Sequence, residues 1–124
     1  MVGPAEGSPE MALRSVLAPF ARDAARDGDC LRCASAVTDA AVQEGFSART
    51  VTVAGWMDHE ERILGYLHHV TVCGGEWVLD GTARQFGKVF PAAWVAPTRE
   101  YLDALAGATR VEYATFLDHS PFQG

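Results

Sequence analysis

The chain has no apolar run approaching the roughly 20 residues needed to cross a bilayer. Met1 to Glu10 contains neither a basic nor an apolar segment, so no export signal is recognisable. Cations are in the minority: ten Lys and Arg face 16 Asp and Glu, a formal charge of −6. That balance repels phosphate backbones and anionic lipid, so neither nucleic acid nor a membrane surface is an expected partner. Cysteine is also scarce. Three thiols cannot all pair within one chain, and Cys30 and Cys33 lie too close in sequence to act as a scaffold staple. They read as free thiols in a reducing compartment, which points to the cytoplasm. Repeats and low-complexity tracts are absent as well. What is present is a 124-residue chain with 48% hydrophobic and 21% charged residues, the composition of one packed domain.

Residues 1–8 hold Gly3, Pro4 and Gly7 without apolar periodicity and read as a lead-in; residues 9–119 read as the domain, and 120–124 as a tail. Ser8-Pro9-Glu10 has the chemistry of a helix start: a side-chain cap, a proline in the first turn and an acid. Met11, Leu13, Val16, Leu17, Phe20 and Ala24 then recur at helical spacing to about Ala25. Asp27-Gly28-Asp29 breaks this helix, and Asp29 is positioned to cap a second one over Cys30 to Gln43, with Leu31, Ala34, Val37, Ala41 and Val42 on its apolar face. Alternation predicts a strand over Ala48 to Trp56, and Ile63 to Cys73 reads as a longer one. Gly74-Gly75 then predicts a two-residue hairpin into Glu76 to Asp80. A loop carrying Trp94 between Pro91 and Pro97, a helix from a Thr98 cap to Leu105 and a last strand over Val111 to Phe116 complete an α+β arrangement.

Cys30 falls on the first turn of the second helix, where unpaired N–H groups and the helix dipole favour a thiolate. In a two-residue hairpin, His69 stands opposite Asp80 with Cβ atoms about 4.5–5.5 Å apart, so the carboxylate would orient the imidazole. His68 is the alternative base, selected if the register slips by one residue. A thiol at a helix start, a histidine and an acid together supply nucleophile, proton carrier and orienter for covalent acyl transfer.

Gly28-Asp29-Cys30 leading into a small-residue helix, His69-Val70-Thr71-Val72, and Trp77-Val78-Leu79-Asp80-Gly81-Thr82 followed by Gln85-Phe86 resemble the papain-like and transglutaminase-like cysteine hydrolases. Among these they are most similar to small papain-fold toxin and effector domains, some of which deamidate protein glutamines. The resemblance covers Gly28 to Phe86. It implies a nucleophile helix packed on a small antiparallel sheet, with Cys30 as nucleophile, His69 as general base and acid, and Asp80 as orienter. It also implies a peptide or protein amide substrate, handled by peptidase, glutamine deamidase or transglutaminase chemistry. As a toxin or delivered effector domain, the chain would have an immunity protein as partner. Such domains often carry paired cysteines at this point, which keeps Cys33 open as an alternative nucleophile. Papain-like peptidases usually place a glutamine ahead of the nucleophile. Here no Gln or Asn precedes Cys30, so backbone N–H groups are expected to form the oxyanion hole, with Asp29, Gln85 and Trp94 as candidate oxyanion or cleft residues.

Three other readings compete. Cys30-Leu31-Arg32-Cys33 is a thiol-redox pattern, but a helix precedes it where a redox domain would have a strand. Zinc on Cys30, Cys33 and a histidine lacks a second cysteine pair, so neither metal nor cofactor is expected. A non-catalytic binding domain would present Trp56, Trp94 and Tyr101 to its partner. His59, His68 and Cys73 otherwise read as surface or packing residues.

Overall fold

The computed structural model describes residues 9–21, 29–58, 60–87 and 89–117. The proposed lead-in, the tail, the Asp27-Gly28 break and His59 lie outside them. Along the chain run α1 (Glu10–Leu17), a 3-10 turn (Ala18–Phe20), α2 (Asp29–Gln43), β1 (Ala48–Asp58) and β2 (Ile63–Cys73). They are followed by β3 (Trp77–Asp80), a second 3-10 turn (Ala83–Phe86), β4 (Trp94–Pro97), α3 (Thr98–Thr109) and β5 (Tyr113–Leu117). This is an α+β fold with a five-stranded sheet of order β4-β3-β2-β1-β5, and every neighbouring pair is antiparallel.

Strand alternation divides the core in two. Val51, Val53, Val70, Val72 and Val78 point to the face covered by α3, where Tyr101 and Leu105 meet them together with Phe90, Trp94 and Ala96. Cys73, Leu79 and Val95 point to the other face, against Leu13 and Leu17 of α1 and Cys33, Val37 and Ala41 of α2. Small residues on α2 bring it close to the strands, and Thr71 Oγ1 donates to the carbonyl of Ala34 at 2.9 Å. Gly81 is part of the same close approach. A Cβ there would stand 2.9 Å from Cys33 Sγ and 3.3 Å from the Phe20 carbonyl oxygen, so only glycine lets the chain leave β3 beneath α1 and α2.

Several boundaries differ from the sequence expectation. The first α-helix ends at Leu17, because Pro19 in the following 3-10 turn has no N–H to continue the ladder and Ala21 is already extended. Pro9 occupies its N-cap position with no side-chain cap bond, while Glu10 supplies the first-turn acid. Met11, Leu31 and Val42, read as apolar-face residues, are exposed; the buried face of α2 comprises Cys30, Cys33, Ala34, Val37 and Ala41. Trp94 lies on a strand rather than a loop. Pro97, not Thr98, precedes α3, which continues to Thr109 before Arg110 closes it in the left-handed conformation.

We expect Gly81→Ala to destabilise the fold by about 1–3 kcal/mol, read as a lower urea midpoint with an unchanged slope.

Candidate active site

β3 ends at Asp80, whose side chain turns back on the chain that follows: Oδ1 accepts from the Thr82 backbone N–H at 2.8 Å and, at a longer 3.4 Å, from the Thr82 hydroxyl. Oδ2 accepts two further bonds, from His68 Nε2–H at 2.8 Å and from the Tyr101 hydroxyl at 2.7 Å. The carboxylate is 1% exposed and the imidazole fully buried. A buried carboxylate without donors would cost several kcal/mol; here β2 and α3 each supply one and the turn after β3 supplies two. Phe86 closes the site from the 3-10 turn, its ring edge-on to His68 with centroids 4.9 Å apart.

The histidine that meets Asp80 is therefore His68, which corrects the expected His69. The Gly-Gly turn does form, with both glycines left-handed and Glu76 N–H donating to the Cys73 carbonyl at 3.1 Å. Glu76 does not join the ladder, however. Its carbonyl accepts from Thr98 N–H at 2.9 Å, at the start of α3, and pairing begins with Cys73 opposite Trp77. This extra residue moves the register by one and brings His68, Val70 and Asp80 to a common face. His69 is turned to the opposite face, where Nδ1 meets Thr52 Oγ1 at 3.2 Å.

Cys30 is the second residue of α2 and is buried. β2 runs for 11 residues, but its ladder with β3 covers only Thr71 to Cys73. The N–H of His69, beyond the end of that ladder, favours the charged form of the Cys30 thiol. Burial works to raise the thiol pKa, but the His68 ring and its charge, with the N–H groups of His69 and Leu31, outweigh it and lower the pKa overall. For His68, burial works downward, yet Asp80, by charge and hydrogen bond, and then Cys30 push it from 6.5 up to about 9. Between the lowered thiol value and about 9, both groups favour their charged forms, a thiolate beside an imidazolium. Since Nε2 is committed to Asp80, contact with the thiol falls to Nδ1, which is buried and makes no well-aligned hydrogen bond among the described residues. The imidazole thus has one nitrogen anchored and the other left to the Cys30 thiol.

The remaining predicted residues separate from this centre. Cys33 sits one turn along α2, but its thiol donates to the Phe20 carbonyl at 3.4 Å within the core beneath α1. Cys73 is buried in the same core, which raises its pKa. Asp29 is the first residue of α2. Gln85 lies on the 3-10 turn next to Phe86, and its Oε1 is buried without a hydrogen bond among the described residues. Trp94 is no cleft residue: it packs between Phe90 and Tyr101, with centroids 4.5 Å from each. Tyr101 is fully buried, so neither it nor Trp94 can present a contact surface, and Trp56 is half-buried with Nε1 donating to Thr115 Oγ1 at 2.9 Å. Tyr101, Thr82 and Phe86 escaped the sequence reading as site residues. The available signal was Asp80 itself, since an acid next to buried Leu79 implies donors nearby.

Among the described residues, no three His, Cys, Asp or Glu gather where they could hold a metal ion, and no helix is long and apolar enough to cross a membrane. No family model, curated protein or solved structure matches the chain.

The His68–Asp80 pair gives stability a defined pH dependence. A folded-state pKa above the unfolded value stabilises fully below about 6.5 and is lost as pH rises through the folded value. In a Cys30→Ala background, which removes the opposing thiol titration, we expect unfolding free energy from urea melts to fall across that alkaline range. Asp80→Asn should flatten this fall while lowering stability at neutral pH.

Proposed function

We propose that the protein is a thiol-dependent acyl-transfer enzyme acting on amides of a peptide or protein, with Cys30 as nucleophile, His68 as general acid and base, and Asp80 as orienter. The observation that carries this reading is that one buried imidazole is shared between a helix-N-terminal thiol and a buried carboxylate. The order thiol, histidine, acid and the nucleophile helix against an antiparallel sheet also fit the resemblance to papain-like and transglutaminase-like hydrolases.

The chemistry follows from the arrangement. The Cys30 thiolate adds to the amide carbonyl carbon, and its negative charge passes to the carbonyl oxygen. As the tetrahedral species collapses, the C–N bond breaks and the His68 imidazolium protonates the leaving nitrogen. Neutral His68 then takes a proton from water or an incoming amine as that nucleophile attacks the thioester, and the thiolate departs. Peptide cleavage, glutamine deamidation and transamidation share this route and differ in leaving group and second nucleophile. Asp80 keeps Nε2 protonated throughout, which fixes the tautomer. Backbone N–H groups at the α2 N-terminus are the natural oxyanion donors.

The redox alternative has less support, because the Cys33 thiol is committed to Phe20 and the space around Gly81. A toxin or effector role with an immunity partner extends the same resemblance and stays part of the proposal.

Brief iodoacetamide treatment near neutral pH, with the label located by mass spectrometry, provides the test. Cys30 should be alkylated well ahead of Cys33 and Cys73. His68→Ala should slow it by roughly tenfold or more, whereas His69→Ala should leave it within about twofold. Equal, slow labelling of all three thiols, or sensitivity to His69 rather than His68, would contradict the assignment.

A further inference from the structure

Tyr101 reaches the site from the side opposite the nucleophile. It lies on α3, across the sheet from α2, and its hydroxyl donates to the same Asp80 oxygen that accepts from His68 Nε2. The two bonds, 2.7 and 2.8 Å, are made between groups that are all buried. Two donors on one carboxylate oxygen compete for its charge, and in a low-dielectric interior that competition is strong. The Tyr101 ring is packed against Trp94, so the hydroxyl is held by the core rather than by the carboxylate alone.

We propose that Tyr101 is a positioning residue that sets the basicity of His68, and with it the pH range over which Cys30 faces an imidazolium, by drawing charge from the shared oxygen of Asp80. The proposal rests on the Cys30-His68-Asp80 reading. Tyr101 is fully buried and acts only through Asp80. The groups that bear on the imidazole are Asp80 from β3, Cys30 from α2 and, through Asp80, Tyr101 from α3; Tyr66 on the same strand packs on Phe86, which in turn packs on His68. Of these, Tyr101 is the neutral donor that competes directly with His68 for the carboxylate. Removing its hydroxyl leaves the charge of Oδ2 to His68, so the imidazolium becomes harder to deprotonate and stays beside Cys30 to higher pH. A stronger phenol donor does the reverse.

The test measures the His68 ring by 15N NMR titration, and iodoacetamide alkylation of Cys30 against pH, in the intact wild-type chain and in Tyr101→Phe. Phenylalanine keeps the stacking on Trp94. We expect the His68 titration to move up by about half a pH unit or more while the alkylation onset stays where it is. A merely structural role would lower the melting temperature and leave the His68 titration in place, and that result would overturn the proposal. If Tyr101→Phe does not fold, 3-fluorotyrosine incorporated at position 101 serves instead; it should move the His68 titration down, and no movement would overturn the proposal. Failure of the underlying reading looks different. Wild-type Cys30 would then alkylate as an ordinary thiol, while the His68 titration, which needs no reactive cysteine, would still decide the role of Tyr101.

Discussion

A carboxylate removed from water must be satisfied where it stands, and the rest of the site is arranged around that need. Asp80 sits at the end of the shortest inner strand, with His68, Tyr101 and the Thr82 backbone converging on its two oxygens. These donors come from β2, from α3 and from the turn that carries the chain away from β3. Losing one would leave a buried charge short of a partner, a penalty of about 3–5 kcal/mol when a buried pair is broken. The same contacts that hold the end of β3 in place therefore also fix the imidazole.

The location of Cys30, the proposed nucleophile, follows from a difference in strand length. β3 has four residues against 11 for β2, so the sheet opens just past Asp80 and the His69 N–H turns to the thiol of Cys30. The first turn of α2 brings the Leu31 N–H to the same thiol. Burial alone would keep the thiol protonated and the imidazole neutral. The surrounding charges and hydrogen bonds outweigh burial at both groups, lowering the thiol's pKa and raising the imidazole's in a chain whose overall charge is −6.

Local patterns exposed much of this in advance. The small-residue helix after Gly28 and the strand from Ile63 to Cys73 could be read directly, as could the Gly-Gly turn and Asp80 at the end of its strand. The choice between His68 and His69 could not. It depends on Glu76 leaving the ladder to bond Thr98, a contact spanning 22 positions that no alternation pattern records. Trp94 was misplaced for a related reason: a four-residue strand bounded by prolines reads as a loop until β3 is available to pair with it. Tyr101 was visible only as an aromatic on a helix, and its role appears once the fold brings α3 behind Asp80.

The central claim is that His68 is an imidazolium anchored on Asp80 and paired with the Cys30 thiolate. Nitrogen NMR of the His68 ring in the wild-type protein at pH 7.5 tests it most directly. The account predicts both ring nitrogens protonated, with deprotonation only near pH 9, and a lower titration in Cys30→Ala. A neutral ring at that pH, or a titration indifferent to Cys30, would contradict it.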